Sequence, residues 1–169
     1  GEVDLALVQG GITIPLELPR LETPSPETIL WLLRDKTTSA RDVRTVMTSL
    51  EGEGSHTVAL QVFEQWQLDP EIKFVHDWRE LSTKADYEIP ASIDAVFVVK
   101  DPGDDKTLVA VERLIKAGFQ LQPVELGARA SRLDYLHTAT IPAKYFGFLP
   151  DVPAATLPTY SVSTYLVAR

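Results

Sequence analysis

Apolar side chains recur first at every second position. Leu5 and Leu7, then Ile12, Ile14, Leu16 and Leu18, alternate with other residues on either side of Gly10-Gly11, which predicts two extended segments over 3–9 and 12–18. Pro15 and Pro19 place at least one of these at a sheet edge, because proline cannot donate to a ladder. Residues 21–26 read as a loop. Ser25-Pro26-Glu27 carries a capping hydroxyl, a proline and an acid in the order of a helix start, so Ile29 to Leu33 is either a short helix or a buried strand. Further on, Ser39 and Asp42 precede Val43, Val46, Met47 and Leu50 at i, i+3, i+4 and i+7, predicting a helix closed by Gly52.

The period then returns to two. Val58, Leu60, Val62, Trp66 and Leu68 predict a long strand over 56–68, and after Asp69-Pro70 the residues Ile72, Phe74, His76 and Trp78 predict its hairpin partner. Residues 93–100 form an apolar strand that stops at Asp101-Pro102-Gly103-Asp104-Asp105. Thr107 opens a helix with Leu108, Val111, Leu114 and Ile115 on one face and Gly118 at its end, and a strand over 119–124 follows. Extended pieces over 133–141 and 145–149, divided by Pro142 and Pro150, and a last strand over 159–167 complete the chain. Together these predict one domain over 1–169, mainly β: a two-sheet antiparallel β-sandwich, jelly-roll-like, with two or three short helices in the connections.

Composition narrows the chemistry. The 169 residues include no Cys, which removes disulfides, thiolate catalysis and Zn-thiolate sites, and no Asn, so turns rely on Gly, Asp and Pro. Sixteen Lys and Arg against 24 Asp and Glu leave a formal charge of -8, which disfavours a polyanion-binding surface within these residues. No apolar run approaches the ~20 residues of a membrane span, and no basic segment followed by an apolar one marks a signal peptide.

Motifs for catalysis are sparse. There is no G-x-S-x-G elbow and no P-loop signature, and Gly52-Glu53-Gly54 lacks the third glycine and the preceding strand of a dinucleotide fingerprint. His56, His76 and His137 stand at no metal-ligand spacing, and His76-Asp77 lies in a segment that alternates as a strand. Arg129 with Arg132, and Arg41 with Arg44, are isolated basic pairs of the sort found on solvated faces. Trp31, Trp66 and Trp78 are either core or a ligand platform. The informative polar cluster is Asp101, Asp104 and Asp105. Three carboxylates in five residues suit a hard cation such as Ca²⁺, or else an acidic turn whose last members face a helix N-terminus. The order strand, acidic loop, helix, strand also suits an α/β phosphoryl-transfer site with Asp101 at a strand end and Mg²⁺ as cofactor.

The order of elements provides one resemblance. Two opening strands, a helical excursion over 26–51, two long alternating strands, a strand ending in Asp101-Pro102-Gly103-Asp104-Asp105, a short helix and a terminal Thr159-Tyr160-Ser161-Val162-Ser163-Thr164-Tyr165-Leu166-Val167 resemble the jelly-roll shell domain of small icosahedral RNA-virus coat proteins. That likeness implies a structural, non-enzymatic capsid subunit in the virion, assembled from copies of itself, with Ca²⁺ at acidic residues near subunit contacts. Tyr145, Phe146 and Phe148 would supply apolar contacts between copies. The basic arm such proteins use for RNA is not within Gly1-Glu2-Val3-Asp4, so RNA would be met only through a segment upstream of Gly1. The other expectations are a monomeric β-sandwich binding module for sugar or peptide and, third, the Mg²⁺-dependent α/β enzyme.

Overall fold

The computed structural model describes residues 4–23, 27–147 and 151–168; the Ser25-Pro26 signal and Phe148 lie outside them. Strand β3 (Thr28–Arg34) is the apolar run that left helix and strand open. A strand sends successive side chains to opposite faces. Ile29, Trp31 and Leu33 therefore enter one core cluster while Leu30 and Leu32 enter another. Strand β6 (Ala95–Lys100) divides in the same way, with Ala95, Phe97 and Val99 on the first face and Val96 and Val98 on the second. Strands buried on both sides require a covering layer on each. Helix α1 (Gly54–Gln65) supplies Val58, Ala59, Val62 and Phe63 to the first face. Helices α2 (Trp78–Thr83) and α3 (Asp105–Lys116) supply Leu81, Ala110, Val111 and Leu114 to the second. Around these strands the fold is mixed α/β, three layers deep.

The larger sheet has seven strands. Strands β4 (Thr45–Met47), β5 (Lys73–Val75), β8 (Leu136–Ile141) and β9 (Leu157–Val162) give the order β5-β4-β6-β3-β9-β8, and β7 (Phe119–Gln122) also pairs with β3. The expectation of two sheets holds, but β4 pairs parallel with both β5 and β6, so the larger sheet is not antiparallel throughout. The long strand predicted over 56–68 is α1. Val58, Ala59, Val62 and Phe63 also fall at helical spacing, and Leu60, which a strand would have turned inward, is 48% exposed. The helix predicted from Ser39 shortens to a 3₁₀ turn at Ala40–Asp42, after which Val46 and Met47 enter β4. The hairpin partner over 72–78 ends early, with Trp78 opening α2. Residues 12–18 form no strand, and residues 145–147 none either.

The smaller sheet is antiparallel, in the order β1 (Leu5–Gln9), β10 (Thr164–Ala168), β2 (Arg20–Thr23). The single strand expected over 159–167 is β9 and β10, divided at Ser163 between the two sheets. This sheet is anchored near the first turns of α1. Gly10 donates to the Ser163 carbonyl at 2.7 Å, and Gln61 of α1 donates to the Gly11 carbonyl at 3.2 Å. Gly10 must be glycine, because a Cβ there would lie 2.6 Å from the Tyr135 Cβ.

Candidate functional site

Parallel strands end on one edge, and the chain's route decides where that edge opens. From β4 the chain runs through α1 to β5 on one side of β4, then through α2 to β6 on the other. The connection leaving β4 runs over one face as α1 and the connection leaving its parallel neighbour β6 runs over the other as α3, which leaves a crevice at the carboxyl ends of β4 and β6, the usual ligand position in α/β sheets. A two-lobed cleft occupies that position. One lobe of about 240 Å³ lies toward α2 and α3. The other, of about 530 Å³, lies toward the smaller sheet, and Ser49, Glu53 and Lys100 line both.

The cleft floor is the turn from β4 into α1. Thr48 and Ser49 follow β4 directly and are 0% and 4% exposed, yet among the described residues neither side-chain oxygen has a hydrogen-bond partner, and of the two Ser49 lines the cleft. Buried hydroxyls are almost always paired, and an unpaired one costs roughly 1–3 kcal/mol. Beyond them, α1 begins at Gly54 with Glu53 as its N-cap, whose side chain makes no capping hydrogen bond. Ser55 fixes that terminus in space. Its hydroxyl accepts from the Val99 N–H at 2.9 Å and donates to the Val99 carbonyl at 3.3 Å, joining α1 to the end of β6. Gly54 lies against the carboxamide of Gln9 from β1, which would overlap any Cβ, and Gln9 in turn donates to Glu27.

Positive charge collects at the smaller lobe. Arg79, Lys100 and Lys106 line it, and none of them makes an ion pair among the described residues. His76 also lines it, with Nδ1 2.6 Å from the Ser49 carbonyl. The His76 ring meets His56 of α1 edge-on at 5.0 Å. Burial, followed by the charge of His76, holds His56 below its ordinary pKa, while Glu51 opposes the shift weakly. The α1 N-terminus, cations without an ion pair and the Ser49 hydroxyl, unpaired among the described residues, suit an anion that can accept several hydrogen bonds.

The acidic loop occupies the same edge but in another role. Asp101 accepts from Gly103 N–H at 2.9 Å, closing the turn. Asp104 caps α3 by accepting from Thr107 N–H at 3.1 Å, and Asp105 stands in the first helical turn. Among the described residues no three His, Cys, Asp or Glu side chains gather as a cation would require, and what Asp101 and Asp104 are seen to do is close a turn and cap a helix. Trp31 packs edge-on against Phe63 and tilted against Phe97 in the core, Trp66 stacks on Phe63, and Trp78 is 5% exposed. Arg129 and Arg132 bind Gln65 at the end of α1, and Arg44 binds the Arg41 carbonyl. Phe146, expected between copies, is fully buried. A second polar cluster, Glu22, His137 and Ser163, joins the two sheets. His137 Nε2 lies 2.7 Å from the Ser163 hydroxyl and 3.1 Å from Glu22, and Ser163 donates to Glu22.

Thr48, Ser49, Ser55, Lys100 and Lys106 escape a sequence reading that takes residues 39–51 as one helix. The available signal was β-branched Thr45-Val46 followed by Gly52-Glu53-Gly54-Ser55, a strand-to-helix turn rich in glycine. The position after Gly54 is Ser55, bonded inward to Val99, where phosphate-binding loops of this shape carry lysine. Among the described residues no helix is long and apolar enough to cross a membrane. Set beside known proteins, the chain matches no family model and no curated protein.

Proposed function

We propose that this domain binds a small phosphate-bearing ligand at the carboxyl edge of β4 and β6. One observation carries the proposal: the buried Ser49 hydroxyl, unpaired among the described residues and lining both lobes, beside the start of α1, which Glu53 does not cap through its side chain. A phosphate would accept from Ser49 and the first α1 amides while Lys100 and Lys106 supply countercharge. The reading is one of binding, in which Ser49, the first α1 amides, Lys100 and Lys106 donate hydrogen bonds and neutralise charge. Isothermal titration with inorganic phosphate and pyrophosphate tests it. Binding that weakens with added salt and drops by about tenfold in Lys100→Met supports the proposal. No heat from either anion at millimolar concentration overturns it.

A second reading keeps the self-assembling subunit, viral coat or otherwise, with the two sheets taken as a jelly-roll-like sandwich. Element order no longer favours it, because the two long alternating strands are α1 and the β5–α2 segment. The smaller sheet does. Leu7, Leu166 and Leu21 stand in one row across β1, β10 and β2, beside Leu5, and Leu5, Leu7 and Leu21 are 64%, 71% and 64% exposed. An apolar row between open strand edges is a surface for a second copy. Sedimentation over a concentration series decides it: association abolished by Leu7→Lys supports this reading, and a monomer at all concentrations removes it.

A further inference from the structure

The phosphate-binding reading leaves the larger lobe unexplained, and its chemistry differs from that of the seam. The smaller lobe sets Arg79, Lys100 and Lys106 against Glu53 and Asp104, and Asp104 is already occupied in capping α3. The larger lobe sets Lys100 alone against Glu27, Glu53 and Asp101. A cleft with one cationic and one anionic end is poorly matched to a ligand that is phosphate throughout, because a second phosphate in the larger lobe would meet three carboxylates. Carboxylates are strong acceptors for hydroxyl donors, however, and charge-assisted bonds of that kind are roughly twice as strong as neutral ones.

The remaining walls of that lobe are of the same character. The smaller sheet contributes the Thr23 and Thr164 residues, the Gln9 carboxamide beside Glu27, and the apolar side chain of Leu7. Hydroxyls, an amide and carboxylates around a single apolar contact suit a compact polyhydroxylated group with one C–H face. The lobe's volume of about 530 Å³ holds a group of that size. Resting on the phosphate-binding reading, we infer that the ligand is the phosphate ester of a polyol. Its phosphate sits at the seam of Ser49, Lys100 and the α1 terminus, and its hydroxyls face Glu27 and Asp101 against the smaller sheet. This gives the smaller sheet, whose strand residues enter neither core cluster, a part in recognition.

Titration calorimetry on the full chain with inorganic phosphate, glucose, glucose 1-phosphate and adenosine 5′-monophosphate separates the possibilities. An ester binding about tenfold or more tightly than phosphate, with free glucose far weaker, is the expected result, since one charge-assisted hydrogen bond supplies that factor. Preference for glucose 1-phosphate assigns the polyol to a free sugar phosphate, and preference for the nucleotide assigns it to a ribose; both support the inference. In Glu27→Gln/Asp101→Asn the ratio of ester to phosphate affinity falls toward one. The Asn retains an oxygen for the Gly103 N–H, and an unchanged far-ultraviolet spectrum and melting temperature certify the fold. Phosphate binding without any gain for either ester, or a ratio unmoved in the double variant, overturns the inference while the phosphate site stands. Absence of all anion binding overturns both.

Discussion

Replacing Ser55 by alanine removes the side-chain hydrogen bonds that tie the first turn of α1 to Val99 near the end of β6. The Ser55 hydroxyl serves both backbone groups of Val99, and Val99 is 1% exposed, so water does not replace it without rearrangement. The bond from the Val99 N–H, at 2.9 Å, is of full strength, while the one to its carbonyl, at 3.3 Å, is weaker. A buried backbone group left unpaired costs about 1–3 kcal/mol, and the carbonyl contributes toward the low end, giving roughly 2–3 kcal/mol in all. Against a total stability of roughly 5–15 kcal/mol this is a large fraction. With a urea slope near 2 kcal/mol/M, the unfolding midpoint of Ser55→Ala drops by about 1–1.5 M at unchanged slope. The control is Ser131→Ala, whose exposed hydroxyl donates only to the Ala128 carbonyl at 2.9 Å and whose loss moves the midpoint by no more than about 0.25 M. Equal shifts in the two variants would refute the reasoning, since they would mean that Val99 finds other partners and that the α1 terminus is not held by Ser55.

Three further outcomes are expected. Gly10→Ala brings a Cβ to 2.6 and 2.9 Å from Tyr135 Cβ and Cγ and to 3.0 Å from the Ser163 carbonyl, so it lowers stability by about 1–3 kcal/mol in a thermal melt. Hydrogen bonds from Ser163 and then His137 hold Glu22 below its ordinary pKa of 4.5, so its stabilising contribution is complete above pH 4.5 and is lost as pH falls through the folded value; Glu22→Gln makes urea stability less steep over that acid range. His56 is held below 6.5, so the unfolded chain takes up the proton first and stability declines as pH falls from 6.5 toward the folded value. A shallower decline in His56→Gln, followed by urea melts, confirms that sign, and an unchanged one contradicts it.

Parts of the site were legible in one dimension. The order strand, acidic loop, helix, strand over 93–124 is β6, the 101–104 turn, α3 and β7, and Asp101 does stand at a strand's carboxyl end. Local chemistry suffices there, because Asp104 capping Thr107 and Gly118 at a φ of 90° are interactions between near neighbours. The phosphate seat was not legible. Ser49 becomes notable only because it is buried without a partner, and Lys100 meets it through the pairing of β4 with β6, some fifty residues away in sequence.

The sequence by itself determined that the chain has no thiol chemistry, that residues 93–100 form a strand and that 107–116 are helical. It also narrowed residues 29–33 to a short helix or a buried strand. These follow from residue identity, an apolar run and end-capping, all local properties. Only the tertiary structure decided that 54–65 is a helix. Val58, Val62 and Trp66 satisfy both periods, and the tie is broken by which of Leu60 and Ala59 finds an apolar partner: Ala59 packs in the core beneath β6 and Leu60 faces outward. That choice replaces an antiparallel hairpin of 56–68 with 72–78 by a parallel pairing of β4 with β5 across a helix, since a parallel pair needs a crossover. The crevice at the carboxyl ends of β4 and β6 is a consequence of that crossover, which no local pattern encodes.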